Sequence, residues 1–191
     1  MCIPLPLLVI HILAIDLGID VIPSLALSRE PAEAGIMKEL PRSVNERLFS
    51  GKVFLRSLYV GLIIATGAMI GCLNAWRAGG WYLGGPNPSD LVYLKGITMT
   101  FAGIVVGQIG NVIACRTNKI SVFKTGVKSN KWIWIGIACQ LAIISSIIYV
   151  PFLQAVFQTT SIDSIDWAYL ALIALIVIFV EEMRKALSRR F

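Results

Sequence analysis

Five blocks of about twenty apolar residues dominate this chain, and each is long enough to cross a bilayer as a single helix. A helix rises about 1.5 Å per residue, so ~20 residues traverse a hydrocarbon core ~30 Å thick. The blocks run over residues 6–27, 54–76, 94–115, 132–152 and 167–187. Hydrocarbon offers no partner to a backbone amide, which leaves helices or a closed barrel, and the alternation of barrel strands is not present. The expected fold is all-α and integral to the membrane, a bundle of five transmembrane helices filling residues 1–191 as one domain. Composition agrees. The chain is 57% hydrophobic and 15% charged with a mean hydropathy of +0.77, whereas soluble domains run near 45–50% apolar and about 25% charged.

The net charge of +6 raises nucleic acid as a partner, but the basic residues do not form one patch. Arg29, Lys38, Arg42, Arg47, Lys52 and Arg56 lie in or beside the first link. Arg116, Lys119, Lys124, Lys128 and Lys131 occupy the third, and Arg184, Lys185, Arg189 and Arg190 the tail. Of the 17 Lys and Arg residues only Arg77 and Lys95 fall on the other side. That asymmetry is membrane topology, with the basic side expected in the cytoplasm, the amino terminus outside and the carboxyl terminus inside. The lipid bilayer is the expected partner, and nucleic acid is not. Cys2, Cys72, Cys115 and Cys139 are far apart and read as small hydrophobes. The opening Met1-Cys2-Ile3-Pro4 has neither a basic region nor a small-residue cleavage site, so a signal peptide is not expected. The first apolar block starts almost at once, as in a chain opened in the middle of something larger.

Polar groups inside the blocks carry the chemistry. Asp16 and Asp20 stand four apart in the first, on one helix face. An ionised carboxylate at mid-bilayer costs at least ~2.5–3.5 kcal/mol. A bound cation, a proton or a basic partner would offset it, the cation being the most economical because hard cations favour oxygen ligands. Gly18 lies between the aspartates. Pro23 cannot donate to the Ile19 carbonyl, so unwound backbone is expected beside them. Gln108 and Asn111, three apart in the third block, read equally as ligands or as interhelical hydrogen-bonding groups among Gly103, Gly107 and Gly110. Gln140 and His11 read as packing residues, and Glu181 and Glu182 as a solvated or paired cluster with Arg184 and Lys185. No phosphate-binding loop or dinucleotide fingerprint occurs.

These residues also carry a family resemblance. Ile3-Pro4-Leu5-Pro6-Leu7 followed by Ile15-Asp16-Leu17-Gly18-Ile19-Asp20-Val21-Ile22-Pro23-Ser24-Leu25-Ala26-Leu27 resembles the sixth membrane helix of the type-II P-type ATPases, the calcium pumps and the sodium/potassium pumps. Glu30-Pro31, Ile36-Met37-Lys38 and Pro41-Arg42 are similar to the link that follows it. Ser121-Val122-Phe123-Lys124 to Gly126 and Ser129-Asn130-Lys131-Trp132 resemble the link between helices eight and nine. Tyr149-Val150-Pro151-Phe152 and Glu181-Glu182-x-Arg184-Lys185 match the last two helices. The resemblance implies that the five spans are family helices six to ten. It implies that Asp16, Asp20, Gln108 and Asn111 face a transported cation, Ca2+, Na+ or K+. Ile19 stands where both animal pump types carry threonine, and Asn111 and Gln140 lack the acids of the additional sodium site.

The phosphorylated D-K-T-G-T and the T-G-E loop of that family are absent from this sequence. The resemblance therefore implies a membrane segment without its own ATP hydrolysis, needing no cofactor itself. Mg-ATP would be used only in an intact pump, whose remaining helices and cytoplasmic domains would be its partners. Two other classes compete: a stand-alone membrane protein that binds or regulates a partner, and a secondary carrier, disfavoured by the lack of an internal repeat.

Overall fold

The computed structural model describes residues 4–30, 51–83, 86–117 and 130–188. Lys38, Arg42, Arg47, Lys119, Lys124, Lys128, Arg189, Arg190 and Cys2 lie outside the described residues, as do most of the link motifs between Pro31 and Arg42 and between Ser121 and Ser129. The helices are α1 (Val9–Leu13), a π-helical segment (Ala14–Ile19), α2 (Val21–Leu27), α3 (Gly51–Ala78), α4 (Asp90–Cys115), α5 (Lys131–Tyr149), α6 (Pro151–Phe157) and α7 (Ser164–Ser188). No strand occurs among the described residues. Five spans are long and apolar enough to cross a membrane: Val9–Leu27, Val53–Ala78, Asp90–Cys115, Lys131–Tyr149 and Ser164–Ser188. The protein is an all-α, multi-pass membrane bundle.

α4 is the centre of this bundle, packed mainly against α3 and α7. Its sequence says why. A helix apolar all round has no face to give to water, and glycines on several sides let neighbours approach to backbone contact. A Cβ on Gly103 would stand 3.0 Å from Ala68, one on Gly107 3.0 Å from Ile64, and one on Gly110 2.6 Å from the Ala174 carbonyl oxygen. The largest core cluster joins Ile15 and Ile19 of the first span to Phe101, Val105, Ile144 and Leu170.

Element ends follow local chemistry. α3 stops at Gly80, whose φ of 87° only glycine adopts freely. Its N–H bonds the Arg77 carbonyl at 2.9 Å while the Trp81 N–H reaches the Trp76 carbonyl at 3.0 Å, a Schellman cap. α5 begins at Asn130, whose side-chain oxygen accepts the Trp132 N–H at 2.9 Å. The fourth apolar block, expected to be one helix over 132–152, is broken. Val150 is extended (φ −83°, ψ 119°) and α6 starts afresh at Pro151. A residue before proline is pushed out of the α region, and proline itself suits a helix start.

Each end of the bundle has its own polar lock. At one end Arg116 donates to Glu30 Oε1 at 3.0 Å. Asn130 Nδ2 donates to Glu30 Oε2 at 2.7 Å and to the Ala26 carbonyl at 3.2 Å, so α2, α4 and α5 are tied together. At the same end Glu181, fully buried, accepts from Arg56 at 3.1 Å, from Arg184 at 3.0 Å and from the Tyr59 hydroxyl. Lys185, also fully buried, donates to the Ala114 carbonyl at 2.9 Å, to Thr117 at 3.0 Å and to Glu182 at 2.9 Å. The Glu181–Lys185 cluster is thus paired, and its centre is sealed from solvent. At the other end Lys95 meets Asp163 at 2.7 Å and Asp166 at 3.2 Å.

Candidate functional site

The first span does not unwind at its acidic pair, as the glycine and proline suggested. It widens. Residues Ala14–Ile19 form π turns, closed by the Asp20 N–H donating to the Ile15 carbonyl five residues back at 3.0 Å. Pro23 falls third in α2, just past the π turn, and has no N–H to offer the Ile19 carbonyl four residues back. The chain nonetheless restarts as α-helix through the proline. π turns are α-helices carrying one surplus residue, and they concentrate at functional sites.

The widened segment carries Asp16 and Asp20. Asp20 is half-buried, and its Oδ2 accepts a hydrogen bond of 2.7 Å from Gln108 Nε2 on α4. Asp16 is exposed on the bundle and makes no hydrogen bond or ion pair with a described residue. Ser24 adds a donor at 2.7 Å to the backbone carbonyl of Asp20. Two of the four expected site residues, Asp20 and Gln108, are thus in direct contact. Asn111 is elsewhere engaged: its side-chain oxygen accepts from Cys115 Sγ at 3.3 Å, next to the Arg56 guanidinium, 3.4 Å from that sulfur. The reason is its place on α4. It lies almost one turn beyond Gln108, level with the basic end of the bundle.

Two enclosed amides have polar atoms without partners. Gln108 Oε1 is buried with no hydrogen-bond partner among the described residues, and so are both polar atoms of Gln140, which is fully buried on α5. An orphaned carbonyl oxygen inside hydrocarbon costs ~1–3 kcal/mol. Beside an aspartate, it is the donor set a hard cation selects: oxygen atoms, net negative charge and little water. These oxygens are fewer than the 6–8 that Ca2+ takes.

His11, expected as a packing residue, is one. It is fully buried and stacked on Phe101 at 4.9 Å, with Nε2 2.6 Å from the Phe157 carbonyl. A carbonyl only accepts, so Nε2 carries the proton, and Nδ1 takes the Leu8 N–H at 3.4 Å. Sequence reasoning missed the partners of Glu30 and Glu181 on other helices. Arg56, a lone charge inside an apolar block, was the one available signal.

Known proteins match this sequence over nearly its whole length. The family profile described as "Cation transporting ATPase, C-terminus" matches residues 4–187. The potassium-transporting ATPase alpha chain 2 of Oryctolagus cuniculus is 30% identical over 98% of this chain and 20% of its own length. The calcium-transporting ATPase 1 of Bacillus cereus is 32% identical over 94% of this chain and 21% of its own. The calcium-transporting ATPase 1 of Saccharomyces cerevisiae is 29% identical over 98% and 19%. The chain spans about a fifth of the length of the curated relatives it matches.

Proposed function

The chain belongs to the C-terminal membrane region of the cation-transporting ATPases, and from that premise we propose that it forms the cation-holding and scaffolding part of an ATP-driven pump. The observation that carries this reading is the Asp20–Gln108 contact on a π-widened span, with Asp16 on the open side of the same segment. Asp16 and Asp20 supply charge, and Gln108 supplies an amide oxygen that has no other partner. Asn111 is the weakest member of the set, because Cys115 already engages its oxygen. Remaining helices of the pump would complete the ligand shell on the Asp16 side, and ATP would be consumed in cytoplasmic domains outside this segment. The relatives named for potassium and for calcium support both ions equally.

The end bearing Glu30, Arg116, Asn130, Glu181 and Lys185 is assigned to the cytoplasm by the excess of basic residues there. The amino terminus then lies outside and the carboxyl terminus inside.

The test is made on the complete pump. Asp16→Asn and Asp20→Asn keep side-chain size and remove one charge each. Each is expected to raise the cation concentration needed for phosphoenzyme formation by at least about tenfold, the equivalent of ~1.4 kcal/mol. Unchanged cation dependence in both variants would remove the assigned role. It would leave a membrane scaffold that binds a partner without handling ions.

A further inference from the structure

A groove runs between α3 and α7 on the outside of the bundle. Ile63, Thr66 and Ile70 line one wall, and Tyr169, Leu172 and Ile176 the other. Ile70, Leu172 and Ile176 are exposed, so the groove opens toward hydrocarbon. Its polar groups are turned inward. Thr66 Oγ1 donates to the Leu62 carbonyl of its own helix at 2.6 Å, and the Tyr169 hydroxyl donates to the Gly67 carbonyl at 2.7 Å. Both hydroxyl protons are thus engaged, and an occupant finds no donor there. The groove holds about 400 Å3. Ile63 to Ile70 covers about 10 Å of helix, which gives a cross-section of roughly 40 Å2, half that of a helix ~10 Å across. The space suits a single flexible apolar chain, and a helix would stand proud of it.

One end of the groove leads to positive charge. Arg56 lies two turns before Ile63 on the same face of α3, and Arg184 lies about two turns beyond Ile176 on α7. Both guanidinium groups bond Glu181, at 3.1 and 3.0 Å. Their side chains are 25% and 30% exposed, whereas Glu181 is wholly enclosed. With Lys185 on Glu182, three cations and two carboxylates leave this cluster one positive charge. With described residues Arg56 bonds through Nε and Nη2 only, so Nη1 still carries donors.

We propose that the α3–α7 groove, together with Arg56 and Arg184 at its end, binds an anionic phospholipid. The phosphate lies at the two guanidinium groups, whose planar N–H forks match its oxygens, and one acyl chain fills the groove. Depth agrees with this. The middle of the groove is about ten residues from Arg56, or ~15 Å, which is half of a ~30 Å hydrocarbon core and the reach of a chain in one leaflet. Lipid tails are as apolar as leucine, so the groove contributes close contact and the headgroup contributes the selectivity. The binding depends neither on the cation reading above nor on which way the bundle faces.

The test is native mass spectrometry of the full chain, released from nanodiscs holding equal amounts of dioleoylphosphatidylglycerol and dioleoylphosphatidylcholine. One retained lipid is expected, with phosphatidylglycerol preferred about fivefold, the effect of one basic residue at an anionic surface. Arg184→Gln cancels the net charge and should abolish the preference. Glu181→Gln doubles the net charge and should raise the preference to about 25-fold. Both substitutions disturb the same lock, so opposite signs separate charge from structural damage. Thr66→Phe fills the groove without touching the lock and should cut the retention of both lipids. Leu62→Phe, at an exposed position outside the groove, should retain lipid as the parent does. No retained lipid on the unmodified chain, equal retention of the two lipids, or unchanged retention in Thr66→Phe would each overturn the proposal, whether or not the lock variants fold. So would a protein retained in place of lipid on the chain taken from its own membranes and lost in Thr66→Phe.

Discussion

Replacing Gly110 with alanine tests whether α4 is the fulcrum of this bundle. The new Cβ would stand 2.6 Å from the Ala174 carbonyl oxygen, 2.9 Å from its Cα and 3.1 Å from its carbonyl carbon, all backbone atoms that cannot rotate aside. Ordinary contact begins at 3.4 Å, so α4 and α7 must part by about 0.8 Å here. Gln108 lies two residues earlier, about 200° round the helix, and faces the opposite way. Movement of α4 away from α7 therefore drives Gln108 into Asp20, already at 2.7 Å. The relief must come from α7, whose Glu181 and Lys185 hold α3 and α4 at 3.1 and 2.9 Å. Overpacking of this kind costs about 1–3 kcal/mol, and a chain of this size loses roughly 2–4 °C in melting temperature per kcal/mol. The assay is a thermal melt in detergent followed by a thiol dye at Cys72, which is fully buried, with the other cysteines replaced by serine. Gly61→Ala is the matched control, since nothing lies within 4 Å of its added Cβ. It should gain up to about 1 kcal/mol from removing a helical glycine. If the two variants melt together, α4 and α7 are not in backbone contact at Gly110 and the packing argument fails.

Glu181→Gln should destabilise the chain by about 2–3 kcal/mol, below the ~3–5 kcal/mol for breaking a fully buried pair because Arg56 and Arg184 keep water on one side. Chemical denaturation against the unmodified chain measures this, and a loss under about 0.5 kcal/mol would contradict the buried lock. His11→Phe keeps the stack on Phe101 but orphans the Phe157 carbonyl, so a loss of about 1–3 kcal/mol is expected in the same assay. A variant as stable as the parent would mean that the histidine serves as a ring alone.

Much of the fold was legible in the sequence because hydrocarbon is a severe solvent. An apolar block of sufficient length can be satisfied only as a helix, and the order of blocks and links follows from that single demand. The break at Val150 could have been read from Pro151, which acts on its neighbour through local sterics. The acidic pair at Asp16 and Asp20 was equally visible, since charge inside an apolar block stands out against its surroundings.

Contacts between helices were not legible, because residues 88 apart in sequence meet only when the bundle closes. Asp20 chose Gln108 over Asn111 through the rotation and depth of α4, which its packing on α3 and α7 decides. The same closure decided that the cluster of Glu181 and Lys185, readable from sequence as either solvated or paired, is enclosed, since their partners Arg56 and Ala114 arrive from other spans. Winding the first span as a π turn was likewise a tertiary decision. Glycine and proline at 18 and 23 permit several departures from the α-helix. Anchors at His11 and Asn130, fixed by the rest of the bundle, leave the residues between them one too many for an unbroken one.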